Sequence, residues 1–127
     1  MAKPWLADFS WEAVTVINSQ LCETKHALHK PTSDGHDTAQ SLWKSYYRKA
    51  ISLAEAVELC RECHRIAPFC FFNGNTFVAI IGIAIQKVKG LDVTERYVLQ
   101  SIVGHIVAGT ANAEEERQFR ELLTKLE

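Results

Sequence analysis

The chain has 127 residues, 47% of them hydrophobic, and 14 basic against 15 acidic side chains give a formal net charge of -1. This length fits one domain with one hydrophobic core, and the balanced charge argues against nucleic acid or an anionic membrane as a partner. The start of the chain, MAKPWLADFSWEAV, does not resemble a signal peptide, and the longest apolar run is too short to cross a membrane. We therefore predict a cytoplasmic protein whose four cysteines stay reduced.

The N-terminal part of the chain predicts two helices joined by a loop. Apolar residues recur at helical spacing over residues 9–25, and Ser10 is the expected N-cap. Pro, Gly, Ser and Asp cluster in residues 29–37, a composition typical of a solvent-exposed loop. A second helix is predicted over residues 38–50, with an aromatic face turned inward. That face includes Trp43, Tyr46 and Tyr47.

A third helix is predicted to begin after Ser52 and to run to about Ile66. Ser52 followed three residues later by Glu55 forms a capping box, in which each side chain bonds the backbone N–H of the other residue. One face of this helix is small and apolar, as expected of a face turned to the core. Its residues are Leu53, Ala56, Val57, Cys60 and Cys63.

The following stretch, APFCFFNGNTFVAII, supports two interpretations. An Asn-Gly pair between apolar runs is typical of a β-hairpin, and the β-branched residues after it favour strands. The apolar run nevertheless extends through QKVK to Gly90, a length typical of a buried helix, and basic residues followed by Gly mark a helix C-terminus. We predict a loop leading into a buried central helix.

Two further helices complete the chain. Thr94 with the Glu behind it opens the fifth helix, which runs through Ala108 and stops at Gly109. Asn112 caps the sixth helix, which runs through Leu126. No strand pair with turn chemistry is present in the sequence. The whole chain is therefore predicted to be a single all-α domain of about six helices.

One short motif suggests a cofactor. Cys60, Cys63 and His64 spell C-x-x-C-H, the attachment sequence of c-type haem, and the same three residues with Cys22 or Cys70 could form a zinc site. Covalent haem attachment normally occurs outside the cytosol, and the only methionine, a common second axial ligand, is the first residue. Free cysteines usually lie in the core. We favour two core thiols, with the haem and zinc interpretations left open.

The order of the later parts resembles the Fic/Doc family, specifically its small death-on-curing branch, over about residues 52–126. The family motif is His-x-Phe-x-Asp/Asn-Gly/Ala-Asn-Lys/Gly-Arg, and it aligns with FCFFNGNTF. Phe69 stands at the His position and Phe77 at the Arg position. The aligned residues are Phe69, Phe71, Asn73, Gly74, Asn75, Thr76 and Phe77.

The resemblance implies what these positions would do. Family members transfer a nucleotidyl or phosphoryl group from ATP to a protein hydroxyl, with the His as base, the acidic residue on a metal ion and the Arg on phosphate. Phe69 and Phe77 supply neither charge, and Asn73 offers a metal only a neutral carbonyl. Gly74 and Asn75 keep a helix start that can bind an anion. We expect the motif phenylalanines, together with Phe72, to fill the space of a nucleotide.

These expectations give two main functional hypotheses. The first is a catalytically degenerate Fic/Doc-fold protein that needs no cofactor and binds another protein, such as an antitoxin, as a remnant or regulator of a toxin–antitoxin pair. The alternative is an active phosphoryl or nucleotidyl transferase using ATP and Mg²⁺, with the missing charges supplied by a partner or by His64. A haem or zinc module built on Cys60, Cys63 and His64 is a third, less favoured hypothesis.

Overall fold

The computed structural model describes residues 2–126, which form six helices. They are α1 (Trp11–Thr24), α2 (His36–Tyr46), α3 (Leu53–Ile66), α4 (Asn73–Ile85), α5 (Val93–Ala108) and α6 (Ala113–Leu123). Over this part of the chain there is no strand, only isolated bridges between Lys3 and Ile51 and between Pro31 and Phe69. The predicted single all-α domain is confirmed.

Helix α4 lies at the centre of the domain and contacts α1, α3 and α5. Its apolar side chains belong to one continuous cluster of buried residues that collects side chains from all six helices. Six of the 13 residues of α4 are buried, and Ile83 remains 44% exposed on its outer side. The expectation of a buried central helix after the motif loop is confirmed. None of the helices among residues 2–126 is long and apolar enough to cross a membrane.

Helix starts follow the capping chemistry of the sequence in most cases. Ser10 caps α1, and the predicted capping box of Ser52 and Glu55 opens α3. Asn112 caps α6 as expected. The prediction that Thr94 opens α5 is wrong, because Asp92 is the N-cap: its carboxylate accepts from the Glu95 N–H, while Glu95 bonds the N–H of Asp92.

The bounds of α2 also differ from the prediction of residues 38–50. The helix begins two residues earlier, at His36, directly after Gly35, whose backbone packs tightly against the end of α3. A Cβ at Gly35 would collide with the carbonyl oxygens of Ile66 and Ala67. The helix ends at Tyr46, which is 44% exposed. Trp43 is buried as predicted, but the inward position predicted for Tyr46 is wrong.

Two further helices, α4 and α6, also end earlier than predicted. Helix α4 stops at Ile85 instead of continuing to Gly90, since the backbone tightens into turns through Val88, whose side chain is buried. Lys87 in this turn forms an ion pair with Asp8. Helix α6 ends at Leu123, and the residues up to Leu126 continue as a turn. Both ends are set by local backbone bonds that periodicity does not reveal.

Candidate functional site

The motif loop, residues 67–72, connects α3 to α4. The Asn-Gly pair that follows it begins a helix and does not form a β-hairpin. Asn73 is the first residue of α4, and Phe72 before it has a left-handed backbone with φ of 60°. Ala67, which ends α3, is also left-handed with φ of 59°. This conformation disfavours residues with a Cβ by about 1–2 kcal/mol each. The surrounding contacts therefore have to hold the loop in shape.

Asn73 supplies one of these contacts. Its Oδ1 accepts a hydrogen bond from the Phe69 N–H at 2.9 Å, and its Nδ2 donates to the Phe69 carbonyl at 2.7 Å. Both polar atoms of the carboxamide are thus bonded to the loop backbone. At the position where the family motif has a metal-binding residue, this chain has a side chain that ties the loop to α4.

The segment 29–37, predicted to be a solvent-exposed loop, is exposed at most of its positions but also packs on the motif loop, and its last two residues begin α2. The Thr32 N–H donates to the Pro68 carbonyl at 2.9 Å, and the Thr32 hydroxyl donates to the Ala67 carbonyl at 2.7 Å. The Cys70 N–H donates to the Lys30 carbonyl at 2.9 Å. The two loops support each other, which accounts for the left-handed conformation at Ala67.

Phe69, which aligns with the catalytic His of the Fic/Doc motif, is 2% exposed. Its ring stacks on Trp11 with centroids 5.8 Å apart and planes at 13°. The rings of His29 and His36 lie 5.6 and 6.0 Å from it. Phe69 is therefore a core residue enclosed by aromatic rings, with no titratable group of its own.

Phe77, which aligns with the Arg of the Fic/Doc motif, is completely buried. It packs against Trp43, with ring centroids 5.7 Å apart. The other two phenylalanines behave differently. Phe71 is 48% exposed, and half-buried Phe72 lies 6.4 Å from it, ring to ring. The expectation that the motif phenylalanines and Phe72 fill the space of a nucleotide is wrong for Phe71, whose ring is half exposed.

A buried polar network that the sequence did not predict lies under the loop. Asn18 of α1 is completely buried, and its Nδ2 donates to the Phe71 carbonyl at 2.7 Å and to the Thr76 hydroxyl at 3.1 Å. Since Nδ2 is fixed by the carbonyl it bonds, Asn18 Oδ1 is the acceptor for His29 Nδ1 at 2.8 Å and for the Cys22 thiol at 3.6 Å. Asn18 therefore joins α1 to the loop and to α4.

Thr76 belongs to the same network. It is completely buried, and its hydroxyl donates to the Phe72 carbonyl at 2.7 Å while accepting from Asn18. The position that holds Lys or Gly in the family motif thus stabilises the first turn of α4. The signal missed in the sequence was Asn18 itself, a polar residue at an inward position of an amphipathic helix.

Gly74 and Asn75 lie at the start of α4, and the His64 ring lies beside Gly74. The His64 Nδ1 bonds the Val107 carbonyl at 2.8 Å, and a carbonyl only accepts, so the proton is on Nδ1. A Cβ at Gly74 would be 3.3 Å from His64 Nε2. The structure thus brings the imidazole acceptor atom and the start of α4 together. Asn75 is exposed.

Cys60 and Cys63 are buried on the inward face of α3. Both thiols are completely buried, and Cys63 Sγ lies 3.9 Å from the Ala39 carbonyl. Burial raises the pKa of Cys63 to about 12 and that of Cys60 well above its usual value, so both stay protonated at neutral pH. The interpretation as core thiols is confirmed.

The remaining cysteines are also unpaired: Cys22 is buried and Cys70 is exposed. Within the described part of the chain, no three His, Cys, Asp or Glu side chains lie close enough to hold one metal ion.

Comparison with protein family models, with characterised proteins and with solved structures finds no match to this chain. The Fic/Doc resemblance stays a prediction that rests on the motif residues themselves.

Proposed function

We propose that this protein acts by binding another protein and does not catalyse nucleotidyl or phosphoryl transfer. The observation that carries the proposal is the position of Phe69. A general base has to reach a proton of the attacking hydroxyl, whereas the Phe69 ring is buried between Trp11 and two histidines. The residue aligned with the family base serves the core.

The other aligned positions support the same conclusion. Phe77 is buried against Trp43 and offers no charge to phosphate. Asn73 bonds the loop backbone through both of its polar atoms. At each position where the family motif uses a charge, this chain has a side chain that holds the domain together, so the loop does not supply the charges that transfer would require.

The partner that we propose is a small antitoxin-like protein in the cytoplasm, with the chain as a remnant or regulator of a toxin–antitoxin pair. Cell fractionation of a tagged chain tests the location. An adjacent reading frame encoding a short protein that copurifies with the chain would support the pairing. Copurification only with unrelated proteins would contradict it.

The absence of transfer is tested with ATP labelled at the α- or γ-phosphate, Mg²⁺ and a lysate of the source cells. We expect no protein to become labelled above the level of a sample without the chain. Mg²⁺-dependent labelling that His64→Ala abolishes and His105→Ala leaves intact would overturn the proposal. His105 is a suitable control because it lies on α5, half exposed and paired with Glu115.

One observation favours the transferase as a second candidate. His64 Nε2 faces the start of α4 next to Gly74, while Nδ1 is oriented by the Val107 carbonyl, an arrangement that can serve a general base. If this candidate is correct, ATP with Mg²⁺ raises the melting temperature, because a ligand that binds only the folded state stabilises it. A titration without any shift would contradict it.

A further inference from the structure

An open groove lies between α2 and α3, and the motif loop contributes nothing to its lining. Its volume is about 270 Å³. Ile51 and Leu59 form a buried floor, and Leu42 and the half-exposed ring of Tyr46 form the side on α2. The groove therefore presents an apolar surface to any molecule that enters it.

The charged residues that line this groove are all acidic. They are Glu55, Glu58 and Glu62 of α3, and their spacing of three and four residues aligns them along one face of the helix. Arg61 lies 3.9 Å from Glu58, and Arg65 lies 3.1 Å from Glu62. Both arginines are well exposed, so these ion pairs are weak and an incoming cation can replace them.

The size of the groove indicates side chains of a polypeptide as its occupant. Pockets for small molecules typically measure about 300–1,000 Å³ and bury most of the ligand, whereas this groove lies at the lower end of that size and is open to solvent. Two neighbouring apolar side chains would fit its floor. Tyr46 is suited to contact them, because tyrosine is among the residues that contribute most to protein interfaces.

The three glutamates that line the groove limit which class of partner can bind. Glutamates repel the phosphates of nucleic acids and of anionic lipids, so neither is expected to bind here. The described residues offer no strand edge to an extended peptide, whereas a groove between two helices suits an amphipathic helix. Lysine or arginine on the borders of such a helix would pair with the glutamates.

We propose that the groove between α2 and α3 binds a basic amphipathic helix of a partner protein, whose apolar side chains contact Tyr46 and Leu59 and whose cations pair with Glu58 and Glu62. This inference deepens the proposed binding function and rests on it. Lys49, whose ammonium lies 4.7 Å from the centre of the Tyr46 ring, moves aside on binding, since exposed contacts of this kind are weak.

The probe is a fluorescein-labelled peptide of about 18 residues, long enough to form a helix, with Leu at positions i, i+3, i+4 and i+7 and Lys elsewhere. A matched peptide carries Glu in place of every Lys. Fluorescence anisotropy with the full chain measures both affinities. We expect saturable micromolar binding of the Lys peptide and affinity at least about tenfold weaker for the Glu peptide.

Variants of the full chain locate the binding. Glu58→Lys/Glu62→Lys and Tyr46→Ala should each weaken binding of the Lys peptide by about tenfold or more. The control Glu23→Lys/Asp34→Lys makes the same change in net charge at exposed positions outside the groove, and its affinity should fall far less. Circular dichroism verifies that each variant is folded. Amide NMR shifts induced by the peptide should include Leu59.

Several results would overturn the inference. These are a lack of saturable binding, equal losses in the two charge-reversed variants, and NMR shifts confined to the exposed Val93 and Tyr97 of α5. Concentration-dependent dimerisation with shifts at the groove would mean that a second copy occupies it. The ATP-labelling experiment tests the proposed function separately. If it shows no transfer and the chain also fails to bind the peptide, only the proposal about the groove is refuted.

Discussion

The motif loop follows the end of α3, the groove lies between α2 and α3, and these two regions use their side chains in opposite ways. In the loop, Phe69 is buried and Asn73 is bonded through both polar atoms to the backbone. Along the groove, Tyr46 is exposed and Glu58 is held only by a weak surface ion pair. Groups already committed to the fold are not available to a ligand. The region that resembles a known motif is therefore the less suitable one for binding.

The largest expected effect comes from shortening an aromatic side chain of the loop. Phe69→Ala removes a buried ring from between Trp11 and the two histidines, and such substitutions destabilise by about 3–5 kcal/mol. Phe71→Ala, two residues away, removes a half-exposed ring and should change stability by less than about 1 kcal/mol. Urea unfolding of the two variants measures the difference. Equal losses of stability in the two variants would contradict the assignment of Phe69 to the core and Phe71 to the surface.

A smaller loss is expected from Asn18→Ala. The substitution leaves the Phe71 carbonyl and His29 without their buried partner, which costs about 1–3 kcal/mol. Asn75→Ala, at an exposed position of α4, is the matched control and should have little effect. Thermal unfolding monitored by circular dichroism compares the two. If Asn18→Ala unfolds with the wild-type midpoint, the network does not stabilise the loop.

A gain in stability is expected at the left-handed end of α3. Ala67→Gly removes the strain of a Cβ at φ of 59°, partly offset by the greater freedom of glycine in the unfolded chain. We expect a net stabilisation of about 0.5–1 kcal/mol, measured by urea unfolding. Glycine at Ala79, in the middle of α4, should instead destabilise by about 1 kcal/mol. If Ala67→Gly instead lowers the stability, the methyl group of Ala67 makes stabilising contacts.

The smallest effect on stability is expected in the groove. Tyr46→Ala removes an exposed ring and its contact with Lys49, so unfolding should shift by less than about 0.5 kcal/mol. The same variant is expected to lose affinity for the Lys peptide. A large loss of stability would mean that Tyr46, like Phe69, serves the fold, and the contrast between loop and groove would fail.

Capping and periodicity carried most of the fold prediction. Ser52 with Glu55 and Asn112 with Glu115 mark helix starts because each pair satisfies its own backbone donors locally. Thr94 was mistaken for a cap because Asp92 two residues earlier forms the same local pattern. The end of α4 was placed too late, since the Lys-rich segment before Gly90 carries helix-end signals whether or not the helix reaches it.

The candidate site was less predictable. The thiols of Cys60 and Cys63 could be assigned to the core because they share a helical face with Leu53 and Val57. The neighbours of Phe69 could not be predicted, because Trp11, His29 and His36 approach it from other parts of the chain. Composition likewise could not show that the segment 29–37 supports the motif loop through Thr32.

The sequence by itself determined that the protein is all-helical and that no charge stands at Phe69 or Phe77, because helix signals and residue chemistry are local. Tertiary structure alone decided that these rings are core residues and that Asn18 ties α1 to the loop. It also decided that Tyr46 and three glutamates of α3 share one groove. The physical reason is that burial and charge proximity depend on which distant segments pack together, and chain order does not encode this directly.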